Sequence, residues 1–167
     1  MPWPNHHGHS RRCRDSGHAA ALGASFALSP IDPVGFVDEC ARHGVLAVPS
    51  ALTSNEMWAL HRRGVRLVKL FHAAQTSPST LRSMLDVTPL GEALNVMPSG
   101  GVSPDNAAEW KAAGAAVVAM GSNLVGKEIS AVEGSPKHRE AAAAWAASGR
   151  ATAQRTFALA AQWRDAA

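Results

Sequence analysis

The chain has 167 residues, of which 46% are hydrophobic and 17% charged, a composition that predicts one water-soluble domain with a substantial core. No apolar run approaches the roughly 18 residues that a membrane-spanning helix needs, which argues against a membrane span. The net charge of +3 comes mainly from Arg11, Arg12 and Arg14, since residues 19–167 carry 13 basic and 12 acidic side chains, and this near balance argues against a nucleic-acid partner.

The first 18 residues differ in composition from the rest of the chain. They hold four of the eight histidines and almost no aliphatic side chains, which predicts a disordered leader at 1–18. His6, His7 and His9 could bind a transition metal, so a histidine-rich metal-binding protein is one alternative function. Such a flexible cluster more often binds metal adventitiously, and we predict no physiological metal site. The two cysteines fit neither a metal site nor a disulfide framework, which favours a reducing, cytoplasmic location.

Short apolar runs alternate with amphipathic stretches from residue 19 onward. The apolar runs predict five strands, at 25–29, 45–48, 66–71, 94–97 and 116–120. The stretches between them are long enough for helices of about ten residues, and repeated strand–helix units of this size are typical of an α/β fold with a parallel sheet. After residue 126 the pattern changes to an alanine-rich stretch, which predicts a C-terminal helical extension over 127–167.

Capping residues mark the predicted helices. Asp32 before Pro33 predicts a helix over 33–43 with Asp32 as its N-cap. Thr53 and Glu56 have capping-box spacing and predict a helix that ends at Gly64. Two further helices are predicted to start at Ser77–Pro78 and at Ser103–Pro104, the second ending at Gly114.

Lys69 is the most informative single residue, because it lies inside the apolar strand predicted at 66–71. Burying an ammonium group is costly and lowers its pKa, and a neutral lysine amine is a nucleophile that can form a Schiff base with a carbonyl substrate. The alternative is that Lys69 extends its amine into water, as most strand lysines do. Phe71, two residues later, would face the same side and pack on a small substrate or in the core.

Two glycine-rich turns follow predicted strands and form a second candidate feature. Ser99–Gly100–Gly101 and Gly121–Ser122 lie where backbone N–H groups could bind a phosphate, since glycine lets an anion approach the main chain. The alternative is that these glycines only make tight turns. Thr53 could bond a substrate oxygen or simply cap its helix. No Walker or dinucleotide-binding motif is present, which argues against nucleotide-driven chemistry.

Five short motifs occur in a characteristic order over residues 19–126. They are Ala24-Ser25-Phe26-Ala27-Leu28-Ser29-Pro30; Val48-Pro49 with Thr53-x-x-Glu56; Val68-Lys69-Leu70-Phe71-His72-Ala73; Pro98-Ser99-Gly100-Gly101-Val102; and Met120-Gly121-Ser122-x-Leu124-Val125. In this order they resemble the family of 2-keto-3-deoxy-6-phosphogluconate (KDPG) and 4-hydroxy-2-oxoglutarate (KHG) aldolases.

The resemblance implies a (β/α)₈ TIM barrel, usually a homotrimer, that cleaves a 4-hydroxy-2-oxo acid to pyruvate and an aldehyde without a cofactor or metal. It implies that Lys69 is the Schiff-base residue and that Pro30 and Phe71 lie beside the pyruvate moiety. The substrate and phosphate turns of the family are matched by Ser99, Gly100, Gly101, Gly121 and Ser122.

The sequence also departs from the family pattern. The family barrel has three strands before the one that matches 25–29, and residues 1–18 offer no counterpart for them. The family's acid/base glutamate and its carboxylate-binding arginine, which lie on those strands, therefore also lack a counterpart. His72 replaces a proline and Ser50 a glycine. His72 could accept a proton, but three residues from Lys69 on an extended strand it is predicted to face the opposite side.

These features predict an incomplete (β/α)₈ barrel of about five βα units with an open edge. We expect a class I aldolase, with activity impaired by the missing acid/base residue. The alternative is a non-catalytic truncated barrel that associates with itself or with another chain.

Overall fold

A computed structural model of the chain describes residues 15–121 and 123. The C-terminal extension predicted at 127–167, Ser122 and the three clustered histidines (His6, His7 and His9) lie outside the described residues. Residues 15–18, which the prediction assigned to the disordered leader, form the first turn of helix α1 (Asp15–Ala21).

Among the described residues, five strands, all paired in parallel, form two short sheets. The first sheet contains β1 (Phe26–Leu28) and β2 (Leu46–Val48); the second contains β3 (Ser50–Ala51), β4 (Leu67–Leu70) and β5 (Asn95–Pro98) in that order. Only Pro49 separates β2 from β3, and its carbonyl still accepts a hydrogen bond of 2.9 Å from the Lys69 N–H. The α/β class with parallel strands is therefore confirmed.

The fifth predicted strand, at 116–120, is wrong as a regular strand. The segment runs beside β5, because the N–H groups of Ala116 and Ala119 donate to the carbonyls of Val96 and Pro98, each at 3.0 Å. A parallel ladder repeats every two residues, and the interval of three between these donors breaks that repeat. Only an isolated bridge between Ser99 and Ala119 remains.

In the part of the chain that the structure describes, five further α-helices and one 3₁₀ helix connect and flank these strands. They are α2 (Phe36–Arg42), α3 (Ser54–Arg62), the 3₁₀ helix (Ala73–Gln75), α4 (Pro78–Val87), α5 (Leu90–Ala93) and α6 (Ala107–Ala112). Helices α3 and α4 begin where their capping residues predict, with the Ser77 hydroxyl accepting a hydrogen bond from the Thr80 N–H. Helix α6 begins later than predicted, with Asn106 rather than Ser103 at its N-cap.

The predicted N-cap Asp32 is wrong, and helix α2 starts three residues later than the expected first position. Its N-cap is Gly35, with φ of 77° and no capping side chain. The Asp32 carboxylate instead forms an ion pair with Arg63, at the end of α3. A tertiary partner has therefore replaced the local one.

The sheet has two different faces. Val68, Leu70 and Val96 belong to a core cluster that also contains side chains of α3, α4, α5 and α6. Because side chains alternate along a strand, Lys69 and Met97, which are paired in register, lie on the face turned away from these helices. No helix among the described residues combines the length and apolarity needed to cross a membrane.

Candidate functional site

Lys69 occupies the third position of β4 and is almost completely buried, with 1% of its surface exposed. Its neighbours in register are Ser50 on β3 and Met97 on β5. The strand interior that the sequence predicts is confirmed, and the alternative in which the amine extends into water is wrong. Lys69 therefore lies within a parallel sheet, on the face that the helices leave uncovered.

The surroundings of the Lys69 amine favour its neutral form. Burial lowers the pKa of Lys69 below the usual lysine range, because a low-dielectric environment disfavours the charged ammonium. Its Nζ lies 4.0 Å from the centroid of the Phe71 ring, a contact that partly compensates a positive charge. Among residues 15–121 and 123, no carboxylate forms an ion pair with it. Lys69 thus has the environment of an activated amine.

Ser50 connects the lysine strand to the loop that contains Pro30. The Ser50 hydroxyl donates a buried hydrogen bond of 2.6 Å to the Ser29 carbonyl, and the Ile31 N–H donates to the Ser29 hydroxyl at 3.4 Å. Pro30 lies between these two anchored residues, at the carboxyl end of β1. The Ser50 hydroxyl therefore anchors the loop at the carboxyl end of β1 to strand β3.

The Ser99–Gly100–Gly101 turn packs tightly against the segment that follows β4. The N–H groups of Ala73 and Ala74 donate to the Ser99 and Gly100 carbonyls at 2.8 and 2.7 Å. Gly100 and Gly101 have φ of 77° and 108°, and a Cβ on Gly100 would lie 2.8 Å from the Phe71 ring. Both the backbone conformation and the close approach therefore require glycine. The turn adjoins the residue that covers the Lys69 amine.

The same turn presents backbone donors without acceptors. Within the described part of the chain, the N–H groups of Gly100 and Gly101 donate to no carbonyl or side-chain oxygen. Adjacent N–H groups in such a turn can bind an anion. Gly121 is exposed, and a Cβ there would meet open space. The packing at this position therefore does not require glycine.

Thr53 and Glu56 form the predicted capping box of α3. The Thr53 hydroxyl donates to the Glu56 carboxylate at 2.8 Å and accepts from the Glu56 N–H at 3.3 Å. Hydrogen bonds from the Leu52 N–H, the Thr53 hydroxyl and the Thr53 N–H hold the pKa of Glu56 below its usual value. The structural role of Thr53 is confirmed, and contact with substrate stays a prediction.

His72 lies just beyond the end of the lysine strand and contacts the Phe71 ring. Strand β4 ends at Leu70, and His72 is the N-cap of the 3₁₀ helix, so strand alternation does not extend to its side chain. Its ring lies against the Phe71 ring, with centroids 3.5 Å apart. The prediction that His72 faces the side opposite Lys69 stays a prediction.

One open depression lies on the helical side of the molecule, and its lining includes no residue of the lysine site. It is lined by Ser54, Ser79, Thr80, Ser83, Met84, Val87 and Thr88. Residues 15–121 and 123 contain no group of three His, Cys, Asp or Glu side chains placed to hold a metal ion.

The comparisons of this sequence with known sequences point to one family. A sequence model of KDPG and KHG aldolases matches residues 12–135. The 2-dehydro-3-deoxy-6-phosphogalactonate aldolase of Escherichia coli strain K12 is 27% identical over 63% of this chain and 50% of its own length. The 2-dehydro-3-deoxy-phosphogluconate aldolase of Treponema pallidum strain Nichols is 31% identical over 64% of this chain and 50% of its own length.

A solved structure supports the same relationship. The KDPG aldolase of Legionella pneumophila, with pyruvate captured at low pH as a covalent carbinolamine intermediate, is 25% identical to this chain. The match has a TM-score of 0.57 and covers 65% of this chain and 52% of that protein. The chain spans about half the length of the curated relatives it matches. By its sequence match and its fold, the chain belongs to the KDPG and KHG aldolase family.

Proposed function

We propose that this protein is a class I aldolase that cleaves a 2-keto-3-deoxy-6-phosphosugar acid or 4-hydroxy-2-oxoglutarate to pyruvate and an aldehyde. The observation that carries the proposal is Lys69, a buried lysine with a lowered pKa and no described carboxylate paired with it. Membership in an aldolase family supports the reaction class. The cysteine pattern supports a cytoplasmic location.

The proposed chemistry uses the Lys69 amine as the nucleophile. Its Nζ attacks the C2 carbonyl of the substrate to form a carbinolamine, which loses water to give an iminium ion. A base removes the C4 hydroxyl proton; C4 becomes the aldehyde, and the electrons of the C3–C4 bond move into an enamine with the iminium as acceptor. Protonation at C3 and hydrolysis then release pyruvate and free Lys69. In the Legionella relative, pyruvate was captured as a covalent carbinolamine intermediate, which corresponds to the first intermediate of this proposed reaction.

The other predicted residues surround this centre in the proposal. Pro30 and Phe71 lie beside the pyruvate portion, and the Thr53 side chain forms a hydrogen bond with a substrate oxygen. The anionic end of the substrate is bound by Ser99, Gly100, Gly101, Gly121 and Ser122. The unpartnered N–H groups of the Gly100–Gly101 turn support that assignment. No cofactor is required, because the iminium itself accepts the electrons.

Proton transfer is the step of the proposed reaction for which the described residues offer the fewest candidate acid or base groups. A positioned acid or base contributes about 10²- to 10⁴-fold to such reactions, and within residues 15–121 and 123 no Asp or Glu forms an ion pair with Lys69. Imine formation makes a smaller demand than cleavage. We therefore propose that the protein forms the pyruvate imine more readily than it turns over.

Borohydride trapping tests the proposal directly. The protein is incubated with saturating pyruvate and sodium borohydride, and the modified residue is located by peptide mass spectrometry. A reduced pyruvate adduct on Lys69 is expected in the wild type and not in Lys69→Met, whereas Lys111→Arg on α6 should keep it. The absence of any adduct on wild-type Lys69 would overturn the proposed function.

A second candidate is self-association through the β1–β2 sheet. Phe26 and Leu46 are paired in register and remain 58% and 45% exposed. Such a pair on an edge strand is suited to pairing with a second copy of the chain, as a homotrimer would require. Light scattering after size exclusion should show an oligomer that Phe26→Ser with Leu46→Ser dissociates. The control is Val87→Ser, an even more exposed apolar side chain on α4. A monomeric wild type would eliminate this candidate.

A further inference from the structure

Ser50 connects the loop that follows β1 to the strand that carries Lys69. It is only 9% exposed, and on β3 it is paired in register with Lys69. Neighbouring strands of a sheet lie about 4.8 Å apart, and residues paired in register direct their side chains to the same face. The Ser50 hydroxyl therefore lies beside the lysine, on the face of the sheet that the helices leave uncovered.

The parallel ladder between β1 and β2 changes its pattern at Ser50. The Ser29 N–H donates to the Val48 carbonyl at 3.1 Å, and the two-residue repeat of a parallel ladder would next direct the Ser50 N–H to the Ser29 carbonyl. Instead the Ser50 N–H donates to the Ile31 carbonyl at 3.3 Å, and the Ser50 hydroxyl donates to the Ser29 carbonyl at 2.6 Å. The hydroxyl thus replaces the main-chain donor, which reaches further along the loop.

These two bonds hold the loop on both sides of Pro30, which has no N–H of its own to donate. Ser29 is fully buried, and a buried carbonyl that loses its donor is costly. If the Ser50 hydroxyl were removed, the Ser50 N–H would return to the Ser29 carbonyl, which is its regular ladder position. The bond to the Ile31 carbonyl would then break, and the segment that contains Pro30 would shift.

We propose that Ser50 is a positioning residue whose hydroxyl holds Pro30 in place beside Lys69 for the binding of pyruvate. This assignment rests on the proposed function, in which Pro30 lies beside the pyruvate portion. Ser50 takes no part in bond making or breaking, because its proton is donated to the Ser29 carbonyl. Removal of the hydroxyl weakens the binding of pyruvate and leaves the Lys69 amine itself unchanged.

The test measures the rate of borohydride trapping on Lys69 of the full chain at a series of pyruvate concentrations. In Ser50→Ala the half-saturating pyruvate concentration should rise about threefold to tenfold, the factor that one hydrogen bond contributes. The limiting rate at saturation should change less. The matched control is Thr88→Ala, which removes a hydroxyl that donates to the Met84 carbonyl on the helical side and should leave the half-saturating concentration unchanged.

A second pair of variants isolates the hydroxyl from the shape of the side chain. Ser50→Thr keeps a hydroxyl and should restore the wild-type half-saturating concentration, whereas Ser50→Val has the same shape without the hydroxyl and should behave like Ser50→Ala. Hydrogen exchange of the Ile31 amide, measured by NMR without pyruvate, should be faster in Ser50→Val than in Ser50→Thr. A general loss of stability would accelerate this exchange in Thr88→Ala as well.

The outcomes separate this inference from the proposed function. A normal wild-type adduct with equal half-saturating concentrations in Ser50→Thr and Ser50→Val overturns the positioning role and leaves the aldolase proposal intact, and equal Ile31 exchange in this pair has the same meaning. No adduct on wild-type Lys69 overturns the aldolase proposal and this inference together. If circular dichroism shows that Ser50→Ala and Ser50→Val unfold while Ser50→Thr folds, the hydroxyl serves stability alone and the positioning role is overturned.

Discussion

Burial of a side chain has different consequences on the two faces of the β4–β5 sheet. On one face, Val68 and Leu70 pack with side chains from four helices, and their burial stabilises the fold. On the other, Lys69 is equally buried, but its burial raises the energy of the charged amine and lowers its pKa. Successive residues of a single strand thus serve stability and reactivity separately. This separation predicts that the two properties can be removed one at a time.

The largest expected effects come from substituting Lys69 and Leu70 separately. Lys69→Met should abolish the pyruvate adduct completely while leaving the free energy of unfolding at pH 7 at or above the wild-type value, because an apolar chain of similar length replaces a buried amine. Leu70→Ala should cost about 2–5 kcal/mol of that free energy, while its folded fraction still forms the adduct. Urea denaturation and borohydride trapping measure the two effects. A loss of stability in Lys69→Met as large as that in Leu70→Ala would contradict the separation.

A smaller effect is expected at the turn that supports the lysine face. Gly100→Ala places a Cβ 2.8 Å from the Phe71 ring in a backbone with φ of 77°, and such strain costs on the order of 1–3 kcal/mol. Displacement of Phe71 should also slow adduct formation on Lys69, measured as the rate of trapping. The matched variant is Gly121→Ala, whose Cβ meets open space and should leave the unfolding free energy unchanged. Equal stability of the two variants would show that the Gly100 packing is not needed.

The capping box of α3, on the helical side of the molecule, should respond more weakly still. Thr53→Ala removes the hydroxyl that accepts from the Glu56 N–H, and losing such a cap costs about 1 kcal/mol. Asn55→Ala, in the first turn of the same helix, leaves the box intact and serves as the control. Thermal denaturation gives the stability difference. If Thr53→Ala is as stable as the control, the threonine is not needed as a cap.

The sequence predicts local structure correctly where the interacting residues are close in the chain. The α3 capping box and the strand that contains Lys69 both follow from residues within a few positions of each other. Asp32 failed as a cap because it pairs with Arg63, 31 residues away. The side chain of His72 could not be placed because the end of β4 depends on hydrogen bonds to the distant Ser99–Gly100 turn.

The same limit applies to the site itself. The sequence identified Lys69, Phe71 and the glycines, since each belongs to a recognisable motif. It did not show that the Ser50 hydroxyl anchors the Ser29–Pro30 loop, because a serine in a strand has no pattern that reveals its partner. Contacts between successive βα units are set by the packing of the sheet, and no local spacing encodes them.

The subtlest difference between the two faces is a dependence of stability on pH. The pKa of Lys69 is lowered in the folded protein, so below that folded value the protein carries the cost of a buried charge. As the pH rises from the folded pKa toward the unfolded value of about 10.4, the unfolded state holds more protons and the folded state gains stability. The unfolding free energy of the wild type should therefore rise relative to Lys69→Met over this alkaline range. Urea denaturation of both proteins from pH 7 to 10 measures the slope, and parallel curves would mean that the amine is solvated and that its pKa is not lowered by burial.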